Sequence, residues 1–283
     1  MANKWDLKRI LTVSLGVFWL LDAILQLQPA MFTSAFTNTV LAPILQGQPH
    51  IIESIIAFGI NIFSGNIFLF NLGSAIIQLL IGILLIFPLR DSVQRFGLWL
   101  SIAWALIVWI FGEGLGVLFT GNSTFYTGAP GSALLYAILA FCLLFASFKK
   151  LPLIAGIVFL FGAMLNMMPM FWQPTMLSML AMTPSVSGVL GTFGSQGTII
   201  GNLIAIDMLI CLGIFLILVP NRSVAWITIL FLIAVWWIGQ SFGGLQTFPG
   251  GTATDPNSAP ILILFLLPIF FNRKSPPVEQ RAA

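Results

Sequence analysis

Apolar residues in this chain come in long blocks rather than in alternation. Eight blocks, at about 10–27, 67–87, 96–111, 133–148, 152–168, 198–219, 224–239 and 259–271, are bounded by Pro, Gly, Asn or basic residues. Runs of this length predict helices that cross a bilayer, because ~30 Å of hydrocarbon takes roughly 17 to 25 helical residues. Inside lipid every backbone polar group must be paired, and the alternation of a closed barrel is missing, so the expected class is an all-α integral membrane protein. Three further apolar stretches, Ala30–Leu45, Ile51–Phe63 and Phe171–Met182, are expected at the outer surface or as partly re-entrant helices.

The blocks repeat. VWIFGEGLG (Val108–Gly116) returns as VWWIGQSFG (Val235–Gly243), and each copy leads into a Gly/Pro-rich segment and then an apolar run. At one constant offset Trp99 meets Trp226, Trp109 meets Trp236 and Gly112 meets Gly239. Near the start of each half, GVFWLLDAILQLQP (Gly16–Pro29) aligns without a gap on GIVFLFGAMLNMMP (Gly156–Pro169). A repeat this long is no solenoid unit. It predicts two pseudo-symmetric four-helix bundles in parallel arrangement, the first over 1–150, the second over 151–283 with a short cytoplasmic tail. The first span belongs to a repeat pair, so it is expected to stay in the protein rather than be cleaved as a signal peptide.

Composition agrees: 59% of the 283 residues are hydrophobic and 7% charged, where soluble domains carry about 25% charged. Threading eight spans puts all 11 Lys and Arg on one side, from Lys4, Lys8 and Arg9 to Arg273, Lys274 and Arg281. The positive-inside bias then places both termini in the cytoplasm, the Gly-rich loops outside, and the chain in the plasma membrane. A crossing at Ile51–Phe63 would move every later basic residue outside, which argues against it. With its cations committed to topology, a net charge of +3 gives no reason to expect nucleic acid as a partner.

Several chemistries are excluded by the residues at hand. With one histidine, His50, the chain cannot supply two axial imidazoles, and it has no CxxCH, so no haem is expected. Cys142 and Cys211 form no CxxC pair, and no phosphate loop, zinc-ligand spacing or nucleophile elbow is present.

Two acids remain inside spans. Asp22 in span one and Asp207 in span six lie at similar depth, far from every Lys and Arg. An acid there is costly if it faces lipid, so both are expected to face the bundle interior, protonated, hydrated or hydrogen-bonded to groups such as Gln26, Asn71, Gln78, Asn166 or Asn202. Glu113, whose repeat partner is the neutral Gln240, ends its span at the outer surface, where Gly112, Gly114 and Gly116 let backbones approach closely and suit either helix packing or a small-ligand pocket. Asp255 in TATDPNSAP is expected to make an Asx turn. Seven of ten methionines cluster between Met164 and Met182. Thioethers can bind Cu(I), but Met also fills apolar surfaces, and no metal ligand is assigned.

Arg9 before an apolar span containing Gly16 and Phe18, and Gln78 four residues before Gly82 in QLLIGILLIF, give the chain a resemblance to the DoxX-like four-helix membrane family. That family commonly carries an acid where this chain has Gln78. The resemblance implies a quinone-associated membrane subunit, with electrons from a bound quinone or a redox partner subunit. Asp22, Asp207 and Glu113 would then handle protons, and Gln26, Gln78, Trp109, Asn166 and Asn202 would hold the cofactor. The competing expectations are a proton-coupled carrier of a small solute or of copper, and a structural or assembly subunit.

Overall fold

The structure is a computed structural model that describes residues 6–173, 182–192 and 194–271. Among these the chain is helical, with no strand. Ten helices have eight or more residues: α1 Leu7–Gln26, α2 His50–Gly65, α3 Ile67–Ile86, α4 Asp91–Phe111, α5 Ser132–Leu144, α6 Leu151–Asn166, α7 Pro184–Gly191, α8 Gly194–Leu218, α9 Arg222–Ile238 and α10 Ser258–Phe271. The expectations for Lys4, Met176, Met179, Arg273, Lys274, Arg281 and the C-terminal tail lie outside the described residues.

Helix ends follow local chemistry. Asp6, Asn66 and Asn221 begin α1, α3 and α9, each side-chain oxygen accepting a backbone N–H of the first turn. At the far end of α3, the Arg9 guanidinium donates to Leu85 O (3.2 Å) and Ile86 O (2.6 Å), and Arg222 donates to Phe270 O at the end of α10. These arginines satisfy carbonyls that a helix cannot pair within itself.

Among the described residues five helices are long and apolar enough to cross a membrane, and six if α9 and the bent segment 241–247 count as one span. Helices α5 and α10 are shorter, at 13 and 14 residues, or roughly 20 Å. They are apolar on every side and sit in the middle of the molecule, where Leu135, Leu139, Leu143, Ile261, Leu262 and Phe265 are wholly buried.

Two tight antiparallel pairs flank this centre. Where α1 crosses α3, Gly16 faces Gly82; a Cβ on Gly16 would lie 3.1 Å from Gly82 O. Where α6 crosses α8, Gly156 faces Gly213, and a Cβ on Gly213 would lie 3.0 Å from Gly156 O. Small residues let backbones approach, which is how helices gain contact where lipid gives no hydrophobic drive. The stretch Ile51–Phe63 forms most of α2, which packs against the edges of α3 and α4.

Candidate functional site

The segments after α4 and α9 fold alike. Trp109 Nε1–H donates to Pro130 O at 2.8 Å, and Trp236 Nε1–H donates to Pro256 O at 2.7 Å. Gly116 and Gly243 have φ of 64° and 65°, a region glycine enters without a Cβ penalty. A side chain at either would also strike the returning Pro130 or Pro256 backbone.

These segments cross over. From the first, Thr124 Oγ1 donates to Asn166 Oδ1 and Tyr126 O–H to Ala205 O, both in the second half. From the second, Ala253 O accepts from Gln28 Nε2, and Thr254 and Asp255 line a cavity of the first half. Asp255 makes the expected Asx turn, its carboxylate accepting from Asn257 N–H and Thr254 Oγ1–H.

That cavity has a volume of about 570 Å³ and is walled by α1 to α5. Phe58, Ile62, Leu69, Phe70 and Ile107 line it and are also exposed, so it opens sideways between α2, α3 and α4 through an apolar rim. Its other end is polar, formed by Asp22, Gln26, Gln78, Glu113, Tyr136 and Asp255, with Trp19 and Trp104 beside them. Tyr136 O–H donates to Asp22 Oδ1 at 3.4 Å, and Trp19 stands edge-on to the Tyr136 ring with centroids 5.0 Å apart. The Trp19 indole N–H is fixed by Ser101 Oγ at 2.8 Å.

Among the described residues three buried polar atoms of the lining lack a hydrogen-bond partner: Gln78 Oε1, Trp104 Nε1 and Glu113 Oε2. Each such orphan costs about 1–3 kcal/mol unless a ligand or water pairs it. Glu113 lies just beyond α4, its Oε1 accepting from Ser132 Oγ (2.6 Å) and Ala133 N–H (3.0 Å) while Oε2 has no such bond. Burial and then the nearby Asp255 carboxylate push its pKa up to about 8, against the lowering effect of the Ser132 and Ala133 bonds. The acid at the end of this span is therefore turned inward, into the pocket setting that is one of the two the sequence leaves open, because the loop after it folds back over its carboxylate.

Other candidate residues fall elsewhere. Asp207 is exposed on the side of α8 away from the buried Leu209 and Leu212, which corrects the expectation of an inward-facing acid. Equal depth fixes no rotation about the helix axis: the offset of 131 that relates Asn71 to Asn202 sets Asp207 against Ile76, which is 54% exposed. Asn166 and Asn202 tie α6 to α8, with Asn166 Nδ2 donating to Asn202 Oδ1 and Asn202 Nδ2 to Asn166 O. Gln26 and Asn71 tie α1 to α3 in the same way, although Gln26 also reaches the cavity. Trp109 holds the Pro130 turn and is not among the cavity walls. From the sequence Asp255 is expected only to make its turn, and Trp104 and Tyr136 are not singled out at all.

The matching space in the second half is filled. Gly162 stands where the repeat alignment has Asp22, Leu209 where it has Gln78, and Phe231 where it has Trp104. Phe125 packs on Gly162, its ring 4.8 Å from Phe159 and 6.5 Å from Phe231. No family profile, curated protein or solved structure matches the chain.

Proposed function

We propose that the protein is a quinone-binding membrane subunit of DoxX-like type, built as eight spans in two fused, pseudo-symmetric four-helix bundles with both termini on the cytoplasmic side of the plasma membrane. Support for the duplication comes from the paired contacts: Trp109 with Pro130 and Trp236 with Pro256, Gln26 with Asn71 and Asn166 with Asn202, Gly16 with Gly82 and Gly156 with Gly213. Under this reading the short α5 and α10 span with help from the folded-back segments that precede them.

The observation that carries the ligand class is the cavity open through an apolar rim, with orphaned polar atoms at its closed end. An apolar pocket with a few convergent polar groups is the usual form of a small-molecule site. A quinone would suit it: the apolar rim would take an isoprenoid tail, and the polar residues at the other end, Gln78, Trp104 and Tyr136 among them, would hold the ring. When bound, a quinone would supply two-electron, two-proton chemistry, with the electrons coming from a redox partner. Asp22 and Glu113 lie at the polar end as the groups that hold and pass protons. Tyr136 keeps the Asp22 carboxylate oriented through its hydroxyl.

The test is the quinone that copurifies with the protein in native-lipid discs. About one quinone per chain above the level in the surrounding lipid is expected, falling severalfold in Asp22→Asn. A wild-type content equal to bulk lipid defeats the reading. A second reading, proton-coupled transport of a small cationic solute, draws on three carboxylates with no Lys or Arg among the described residues of the cavity wall. Proton flux into vesicles without added quinone would favour it.

A further inference from the structure

We propose that the flank of α8 around Asp207 and Cys211 is a docking surface for a membrane-spanning helix of another protein that carries a Lys or Arg near its middle. Helix α8 rests on α6 through its Asn202, Leu209, Gly213 and Leu216 side and is exposed on the other. On that exposed side Asp207 lies between Ile204, which is 59% exposed, and Cys211. It stands 13 residues from Gly194 and 11 from Leu218, or ~20 and ~17 Å from the ends at 1.5 Å per residue. Both ends are too far for the side chain to reach water by bending toward them.

An acid at the middle of a span is among the costliest residues to leave facing hydrocarbon, and such residues pair with groups of opposite charge. The bond Asp207 makes within the chain is weak, from Cys211 Sγ at 3.7 Å. No basic group of the described chain is at its depth: Lys8, Arg9, Arg90, Arg95, Lys149, Lys150 and Arg222 all lie in the first turns of a helix or in the turn before it. Among the described residues nothing supplies a complementary charge, and a partner that does so has to reach Asp207 from within the bilayer. A second copy of this chain would set Asp207 against Asp207, like against like. A basic residue on a foreign helix completes the pair, and the apolar residues above and below give that helix its packing surface.

The test uses the full-length protein in phosphatidylcholine vesicles with a Leu/Ala transmembrane peptide bearing a central Lys and a Cys four residues from it. Cys211 is exposed and Cys142 buried, so oxidation reports on this flank alone. Disulfide formation with the Lys peptide should exceed that with a central-Leu control by roughly three- to thirtyfold, the range that polar contacts between helices in bilayers span. Asp207→Asn, an isosteric change on an exposed position, should erase the preference without altering insertion. Equal cross-linking of both peptides overturns the proposal. So does a Cys211–Cys211 dimer of the protein that the Lys peptide does not displace, which would assign the flank to a second copy.

Discussion

Glu113 and Gln240 do the same work for two different helices. Glu113 Oε1 accepts from Ser132 Oγ–H and Ala133 N–H at the start of α5; Gln240 Oε1 accepts from Ala259 N–H, and its Nε2 donates to Ser258 Oγ, at the start of α10. A helix N-terminus offers unpaired N–H groups, and a neutral amide oxygen serves them. Capping therefore does not require the charge on Glu113, and its second oxygen, buried against Gly131, has no hydrogen-bond partner among the described residues.

Replacing Glu113 by Gln should leave the fold intact and remove a pH dependence. The Glu113 pKa is raised from 4.5 to about 8, so the folded protein keeps this proton at pH values where the unfolded chain has lost it. An acid shifted this way favours folding below the unfolded pKa, and that advantage is lost as pH rises from about 4.5 to about 8. Thermal midpoints measured at pH 5 and pH 8 should fall further in the wild type than in Glu113→Gln. Equal falls would mean that Glu113 does not hold its proton in the folded state.

Two substitutions separate the polar end of the cavity from its mouth. Gln78→Leu copies Leu209 of the second half and removes an orphaned buried amide oxygen, so stability should hold or rise while quinone content drops roughly three- to thirtyfold. Gly73 lines the cavity, and a Cβ there meets nothing within 4 Å. Gly73→Leu should narrow the opening, slowing quinone exchange without changing the thermal midpoint. Unchanged content in the first and unchanged exchange in the second would place the ligand elsewhere.

Phe125→Ala should weaken the second half. Its ring is fully buried against Phe159, Phe231 and the bare face of Gly162, and emptying such a site costs roughly 3–5 kcal/mol. Denaturation in detergent should show a loss of that order. A change below about 1 kcal/mol would mean that the surrounding rings collapse into the space.

The helical class and the long apolar helices were legible because bilayer thickness writes itself into run length, and the paired positions Trp109 and Trp236, or Gly16 and Gly156, stand at like places in like contacts. The site was less legible. Asp22 and Gln78 stood out as polar residues in apolar runs, and both line the cavity. Asp255 reaches the same cavity from a loop more than a hundred residues away, a meeting that no local spacing encodes. Asp207 misled because depth is read by counting residues, whereas facing needs the packed partner, here Gly156 against Gly213.

The loop segments should label from outside. Asn122 and Gln246 are exposed, so cysteines placed there should react with an impermeant reagent in intact cells. Reaction only after the membrane is opened would reverse the orientation drawn from the basic residues.

The exchanged loops bear on how this molecule can move. With Thr124 bonded to Asn166 and Gln28 to Ala253, the segment after α4 is clasped to α6 and the segment after α9 to the end of α1. Rocking of one half against the other, the usual motion of carriers built from repeats, would have to break both clasps at once. The lateral opening past α2 asks for no such motion.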